Sequence, residues 1–276
     1  MPKMCLLKRM VEIVISVDDK LNLSLGFPVR INEHLSVVQH KIGDVAKIGF
    51  EHYLDKISFL LREVDEFMKM LVDSPNYMDL YLRKNELTEY ELQVMFCVNV
   101  EYQQLFKDCL CLVLGMDTDD ISIGGDGIYY TLPESEFELE GSVDGLSKRI
   151  TEQEFAKILE IVKVSNGFQK LESAEDENPY DDKARHMLEK LRRNRDKVDQ
   201  IKAKETGDSG KRDIADIISA VTVMSNSANK LNIKDYTLYQ LYDENTRLYA
   251  IENYRLAVKA SMFGGDGEIT DWGAPQ

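Results

Sequence analysis

Residues 235–265 read DYTLYQLYDENTRLYAIENYRLAVKASMFGG, and this stretch carries the strongest folding pattern in the chain. Thr237 and Gln240 have the spacing of a capping box, in which each side chain caps the other's backbone at a helix start. Gly264 and Gly265 supply the left-handed stop with which helices commonly end. We therefore predict an amphipathic helix between these limits, with apolar positions on one broad side: Leu238, Leu241, Tyr242, Leu248, Tyr249, Leu256, Ala260 and Phe263.

Tyrosine is frequent in this helix, which holds five of the chain's thirteen tyrosines between Tyr236 and Tyr254. A tyrosine has a large apolar area and a polar tip, so it suits a surface that is covered at some times and wet at others. The ordinary alternative is a last helix packed permanently on its own domain, although a strict core would use more leucine and phenylalanine. We expect a partner to contact six positions: Leu238, Leu241, Tyr242, Leu248, Tyr249 and Leu256.

Composition predicts a folded, soluble and acidic protein. The 276 residues include 43% apolar side chains, and 34 basic residues face 49 acidic ones for a net charge of −15. Such a charge argues against a general affinity for nucleic acid or for an anionic membrane. The chain has neither an uncharged apolar run long enough for a membrane span nor the pattern of a signal peptide, so we expect it to stay in the cytoplasm.

The fold class predicted from the pattern is α+β, predominantly α-helical. Residues 21–39 alternate loosely around Gly26 and Pro28, which predicts short strands about a turn. Helical spacing then continues from Ile42 to Leu71 and predicts one long helix. A second apolar helix is predicted to begin at a capping box and to end at a glycine, with the box formed by Thr88 and Glu91 and the stop at Gly115.

Extended structure is predicted to return between residues 117 and 141. There ISI and IYYTL flank a Gly-Gly-Asp-Gly turn, as in a β-hairpin. A further capping box at Thr151 and Glu154 opens a helix that Gly167 closes. We place an α-rich domain with short strands at residues 1–170.

The second half of the chain changes in composition. Residues 171–182, LESAEDENPYDD, have the composition of an acidic linker. The helical region 183–276 follows, and its first part, residues 183–212, carries eleven basic residues against five acidic ones. An amphipathic helix is predicted over Ile214 to Met224, before the terminal helix.

No motif in the chain marks a reaction, a cofactor or a metal. Asp117 and Asp119 have the spacing of a calcium loop, but Ile121 and Ser122 stand where a ligand and a glycine are required. The histidines form no known metal or nucleophile motif, and His52 is interpreted as a structural histidine beside an apolar helix face. The four cysteines are interpreted as reduced core thiols: Cys5, Cys97, Cys109 and Cys111. We predict no catalytic residue.

The basic segment 183–212 is the candidate for nucleic-acid binding, since a helix containing KLRRNRDK could follow phosphates. It has no aromatic residue to stack on bases and no DNA-reading motif, and acidic segments flank it. A solvated helix that faces the acidic linker is the alternative.

Two segments resemble one protein family. Residues 28–61, PVRINEHLSVVQHKIGDVAKIGFEHYLDKISFLL, repeat Ile-Gly at 42–43 and 48–49 before Tyr53. Residues 237–265 open with TLYQLYDE, carry Glu-x-Tyr at 252–254, and precede a late Asp271-Trp272. Together these segments resemble tail assembly chaperones of long-tailed bacteriophages that infect Gram-positive bacteria.

The resemblance implies a non-enzymatic protein that binds and solubilises the tape measure protein until the tail tube assembles around it. It also implies contact with the tail tube protein, compatibility with self-association, residence in the host cytoplasm, and absence from the mature virion. A structural virion protein, such as a head-tail connector or baseplate component, is a second interpretation. A nucleic-acid-binding protein acting through residues 183–212 is a third.

Overall fold

A computed structural model describes residues 15–132, 147–168 and 213–263. Within these residues the chain is α+β and predominantly helical, which confirms the predicted fold class. The chain divides into two compact units: Met1–Gly167 together with Asp235–Gln240, and Phe168–Lys234 together with Leu241–Gln276. The predicted linker 171–182 and basic helix 183–212 lie outside the described residues, and the proposed domain limits stay a prediction.

The described residues of the first unit form short helices and two small antiparallel sheets. Its helices are α1 (Val17–Leu25), α2 (Ile42–Ile48), α3 (Phe50–Leu60), α4 (Val64–Met70), α5 (Tyr77–Leu82), α6 (Glu89–Phe96), α7 (Val100–Leu114) and α8 (Glu152–Ser165). Its strands are β1 (Val29–Arg30), β2 (Ser36–Val37), β3 (Ile121–Gly124), β4 (Gly127–Thr131) and β5 (Ser147–Arg149). The sheet orders are β1-β2 and β3-β4-β5.

The first helix corrects the prediction of extended structure from residue 21. Ser16 and Asp19 form a capping box that starts α1, and Gly26 at φ +74° ends it. Residues 21–25 are therefore helical. The predicted strands begin only at Val29, which lies opposite Val37 in the β1-β2 pair.

The predicted single helix over residues 42–71 is wrong, because it consists of three helices. Gly49 has φ +95° and ψ 122°, a conformation that ends α2, and its carbonyl accepts the Tyr53 N–H at 2.9 Å at the start of α3. A second break follows Leu61, where Glu63 is extended and precedes α4. The apolar spacing continues through both breaks, so periodicity alone does not reveal them.

The second predicted helix has the expected ends and an unexpected interruption. Thr88 and Glu91 form the predicted capping box, and Gly115 ends α7 at φ +66°. A side chain at Gly115 would also lie 2.7 Å from Val38 Cγ2. The helix nevertheless breaks before Asn99, whose side chain accepts the Tyr102 N–H and so starts α7 as a new helix.

The three-stranded sheet contains the predicted hairpin and one strand more. β3 and β4 pair with Gly124 opposite Gly127, and β5 pairs with the other edge of β4. The predicted box of Thr151 and Glu154 starts α8 directly after β5. The core between sheet and helices is formed by fully buried side chains: Phe106, Leu110, Ile121, Ile128, Tyr130, Phe155 and Ile158.

The α-helices described in the second unit are α9 (Ile214–Met224) and most of α10 (Leu238–Met262). Asp213 caps α9, which confirms the helix predicted there. The helix α10 is the predicted terminal helix, and its first residues, to Gln240, belong to the first unit. It ends at Met262, and the predicted stop at Gly264 and Gly265 lies outside the described residues.

Candidate partner-binding surface

The base of α10 is built into the first unit by side-chain hydrogen bonds. The Thr237 N–H donates to Gln240 Oε1 at 2.9 Å, and the Gln240 N–H donates to Thr237 Oγ1 at 3.2 Å, which is the predicted capping box. The Gln240 side-chain amide also donates to the carbonyl oxygen of Ser24, at the end of α1, at 2.9 Å. One glutamine therefore starts α10 and holds its first turn to α1.

Backbone pairing holds the same segment from the other side. The Ile42 N–H donates to the Tyr236 carbonyl oxygen at 2.8 Å, and Lys41 and Thr237 form an isolated antiparallel bridge. Thr237 is buried as well. Because backbone groups make these contacts, the anchor depends on the path of the chain more than on individual side chains.

The six predicted contact residues range from buried to exposed along α10. Leu238 and Leu241 are only 3% and 1% exposed, so they are already covered in this structure. Tyr242, Leu248 and Tyr249 are half-buried, and burial raises the pKa of the Tyr242 phenol. Leu256 is 54% exposed. A partner that contacts all six stays a prediction, and only the later part of the helix offers a mostly exposed side chain from this set.

The last two turns of α10, with Phe263 directly after the helix, expose large apolar side chains that nothing in the described chain covers fully. Leu256, Met262 and Phe263 are all exposed, and Phe263 is 91% exposed. Ion pairs mark the polar side of the helix: Arg247 Nε lies 3.0 Å from Asp243 Oδ2, and Arg255 lies 3.7 Å from Glu252. We call residues 255–263 the outer end of α10.

Within the second unit, a side-chain hydrogen bond connects the end of α9 to α10. Ser225, which follows α9, donates its hydroxyl to Glu244 Oε1 of α10 at 2.7 Å. The same Ser225 oxygen accepts the backbone N–H groups of Ser227 and Ala228, each at 3.1 Å. This turn therefore fixes the end of α9 against the middle of α10.

Two further groups of exposed apolar side chains were not predicted from the sequence. One lies on α1, where Val17, Leu21 and Leu25 follow each other at four-residue intervals and are all exposed. The other lies in residues 70–82, which include the short helix α5. A signal was present in YMDLYL at 77–82, where apolar residues exceed what one buried face of a short helix needs.

The three cysteines that the structure describes are buried thiols. Cys97, Cys109 and Cys111 are buried and unbridged, as interpreted from the sequence, while Cys5 lies outside the described residues. Burial raises the pKa of the Cys97 and Cys109 thiols to about 12 and that of Cys111 to about 11. A thiol with so high a pKa is almost entirely protonated at neutral pH and is a poor nucleophile.

His40, Asp117 and Asp120 make local structural contacts in the first unit. His40 Nε2 lies 2.7 Å from the Leu112 carbonyl oxygen. His52 is exposed, which corrects its interpretation as a structural histidine, and His186 lies outside the described residues. Asp117 and Asp120 close a short 3₁₀ turn, in which the Asp117 N–H donates to Asp120 Oδ2 at 3.2 Å. Among residues 15–132, 147–168 and 213–263, no three His, Cys, Asp or Glu side chains are grouped as a metal site.

An open cleft of about 620 Å³ lies beside His40 in the first unit. Lys56, Asp108, Asp117 and Asp120 contribute charged groups to its walls. The lining mixes one cation with several carboxylates and leaves the cleft wide open to solvent, so it has the character of a surface depression. None of the helices in the described ranges has the length and apolarity that crossing a bilayer requires.

One comparison with known protein families gives a match. Residues 202–273 are similar to the family described as the YomV second domain, a phage-related family. The matched segment contains α9 and α10 and covers roughly a quarter of the chain. No curated protein and no solved structure matches the chain. The match indicates a phage-related protein, and the matched segment is the one that contains the exposed outer end of α10.

Proposed function

We propose that this protein is a non-enzymatic tail assembly chaperone, which binds the tape measure protein of its phage and keeps it soluble during tail assembly. Two observations support the phage context: the similarity of residues 202–273 to a phage-related domain, and the resemblance of residues 237–265 to tail assembly chaperones. The observation that carries the proposal is the form of α10, which is anchored at its base and exposes apolar side chains at its outer end.

An anchored helix with an apolar outer end suits binding to another helix. Burial of the apolar stripe of a client helix lowers the free energy of the complex. A partner helix that lies along the stripe can provide this burial. The anchor at Thr237 and Gln240 limits the freedom that the binding helix loses on association. Leu256 and Phe263, seven residues apart and so on one side of the helix, are the side chains that we assign to this contact.

Weak contacts are sufficient when many copies bind one long client. A tape measure protein is long and helical, so copies of this chain would occupy it side by side, and the growing tube of tail tube protein would displace them one at a time. The net charge of −15 keeps such a coated client from aggregating, because neighbouring complexes repel one another.

Co-expression with the tape measure protein of the same phage tests this proposal. We expect the client to be insoluble alone and soluble with the full chain, and we expect mass spectrometry of purified virions to find no copies of the chain. A client that stays insoluble with the chain present would contradict the proposal. Stoichiometric amounts in virions would favour the structural virion protein instead.

A further inference from the structure

A small lobe of the first unit, residues 64–87, exposes a second set of apolar side chains. The lobe contains α4 and α5 and the turn that leads to Leu87. We call its exposed large apolar side chains the lobe face: Met70, Val72, Met78, Tyr81 and Leu82. Single exposed apolar residues are normal on protein surfaces, but five within thirteen consecutive residues form a concentration that marks interaction sites.

The lobe face is exposed although the lobe itself is well packed. Phe67, Met68 and Leu87 form a buried cluster with Leu92 of α6, and Leu80 of α5 packs against that cluster. Leu80 therefore points inward, while Met78, Tyr81 and Leu82 of the same helix stay exposed. Helix α5 has no buried residue, so its own sequence is more apolar than the packing of the lobe requires.

The residue types of the lobe face suit a partner of variable sequence. Methionine is flexible and polarisable, and it fits irregular apolar surfaces without a fixed shape. The centroid of the Tyr81 ring lies 5.6 Å from that of the Tyr77 ring, so α5 carries an aromatic pair. A surface that combines adaptable methionines with an aromatic anchor is typical of proteins that bind many related helices.

The charged residues of the lobe indicate which kind of partner the lobe face binds. The lobe carries five acidic residues and three basic ones, and the structure describes all of it. Lys84 pairs with Asp65 and Arg83 pairs with Glu86, which leaves three further carboxylates within the lobe against Lys69. Those three are exposed: Glu66, Asp73 and Asp79. Two of them lie within residues 70–82, among the apolar side chains.

We propose that the lobe face is a docking site for an amphipathic helix of a partner protein whose apolar stripe is flanked by lysine or arginine. The carboxylates at Asp73 and Asp79 attract such flanking cations, and the apolar side chains cover the stripe. A second copy of this chain fits poorly, because two acidic lobes in chains of net charge −15 repel each other. The inference rests on the proposed function in taking the partner to be a helical client.

Binding of labelled model peptides to the full-length protein tests the inference by fluorescence anisotropy. Two 20-residue helical peptides share one leucine stripe, flanked in the first by lysine and in the second by glutamate. We expect the lysine peptide to bind about tenfold more tightly at low salt, and added sodium chloride to reduce this difference. Equal affinity for the two peptides would contradict the proposed charge selection.

Matched variants locate the binding site. The double substitution Met78→Gln with Leu82→Gln replaces two apolar lobe-face side chains, and we expect it to lower the affinity for the lysine peptide about tenfold. The control pair, Val98→Gln with Val100→Gln, changes residues outside the lobe that are just as exposed, at 84% and 77% against 63% and 78%. We expect this pair to leave affinity within about twofold. Equal effects of the two pairs would overturn the assignment, and circular dichroism melts show whether each variant is folded.

Two further measurements separate the possible failures. Sedimentation velocity tests whether a second copy of the chain occupies the lobe face. We expect no dimer that the Met78→Gln and Leu82→Gln pair dissociates; such a dimer would show that a second copy, and not a partner helix, binds the lobe face. The same pair is then co-expressed with the tape measure protein. If wild-type chain does not solubilise the client but the lobe binds the lysine peptide, the proposed function fails and the docking site stands. If the client is solubilised equally by the variant, the lobe is not its docking site.

Discussion

The side-chain amide of Gln240 donates a hydrogen bond to the carbonyl oxygen of Ser24 at 2.9 Å, across 216 positions of sequence. This contact joins the first turn of the terminal helix to the end of the first helix. With the Ile42–Tyr236 backbone bond, it makes residues 235–240 part of the first unit. A truncation before residue 235 would therefore damage the first unit as well as remove α10, so point substitutions are the sharper test of α10.

Substitution of Gln240 tests this anchor. Gln240→Ala removes the acceptor of the Thr237 N–H and the donor to Ser24, and we expect it to lower the free energy of unfolding by about 1–3 kcal/mol. Chemical denaturation measures the change. Lys259→Ala on the exposed part of the same helix is the control, for which we expect less than about 0.5 kcal/mol. Equal effects of the two substitutions would show that the Gln240 side chain contributes nothing to the anchor.

The hydroxyl of Tyr90 connects α6 to the sheet and to the start of α8. It donates to the Ile150 carbonyl oxygen at 2.9 Å and accepts the Ile128 N–H at 3.1 Å, and both bonds are buried. Tyr90→Phe leaves two buried backbone groups without a partner, so we expect a loss of about 1–3 kcal/mol in unfolding free energy. Tyr129→Phe is the control, because the Tyr129 hydroxyl bonds Asp126 in an exposed position. A smaller loss of unfolding free energy for Tyr90→Phe than for Tyr129→Phe would contradict the role of the Tyr90 hydroxyl in connecting α6 to the sheet.

Thiol labelling tests the burial of the cysteines. In a Cys5→Ser variant only Cys97, Cys109 and Cys111 remain, and burial raises the pKa of each thiol to about 11 or 12. At pH 8 about one thiol in a thousand or fewer is then ionised, so we expect Ellman's reagent to react with the folded variant at least a hundredfold more slowly than with the denatured one. Rapid labelling of the folded variant would show that these thiols are accessible.

The stability of the first unit should depend on pH through Glu154. Burial opposes ionisation of this carboxyl, but hydrogen bonds from Thr151 and from Asn32, the latter at 2.6 Å, outweigh it and lower the pKa of Glu154. A carboxylate with a lowered pKa stabilises the fold above its unfolded value of 4.5, and this stabilisation is lost as pH falls through the folded pKa.

Denaturation from pH 7 to pH 3 measures this dependence. We expect wild type to exceed Glu154→Gln in stability at pH 7, and we expect the difference to shrink below pH 4.5. Asn32→Ala removes one of the responsible hydrogen bonds and should reduce the difference. A wild-type advantage that grows as pH falls would have the wrong sign and would contradict the assignment.

Helix ends were predictable from the sequence because they depend on local chemistry. The capping boxes at Thr88, Thr151 and Thr237 each depend on two residues that are three positions apart in the sequence. The helix end at Gly115 depends only on the left-handed backbone conformation of that glycine. The interruption at Gly49 was not predictable in this way. The apolar spacing continues through Gly49, and the presence of a glycine within a helical pattern does not reveal its φ angle.

The candidate surface was predictable only in outline. The helix and its tyrosines follow from sequence, but the burial of Leu238 and Leu241 depends on tertiary contacts that no local pattern contains. Strand β5 was missed for the same reason, because Ser147–Arg149 is short and polar and becomes a strand by pairing with β4. The lobe face was missed because the predicted helix ends at Leu71 and no prediction covers residues 76–87.

The most direct test of the chaperone proposal is the soluble fraction of the tape measure protein when it is co-expressed with one of two variants. Leu256→Gln changes the outer end of α10, and Leu231→Gln makes the same substitution at a leucine of the second unit that is 84% exposed and outside the helix. We predict that Leu256→Gln lowers the soluble client about fivefold and that Leu231→Gln leaves it at the wild-type level. Equal client solubility with both variants would contradict the assignment of the outer end of α10 as the client-binding surface.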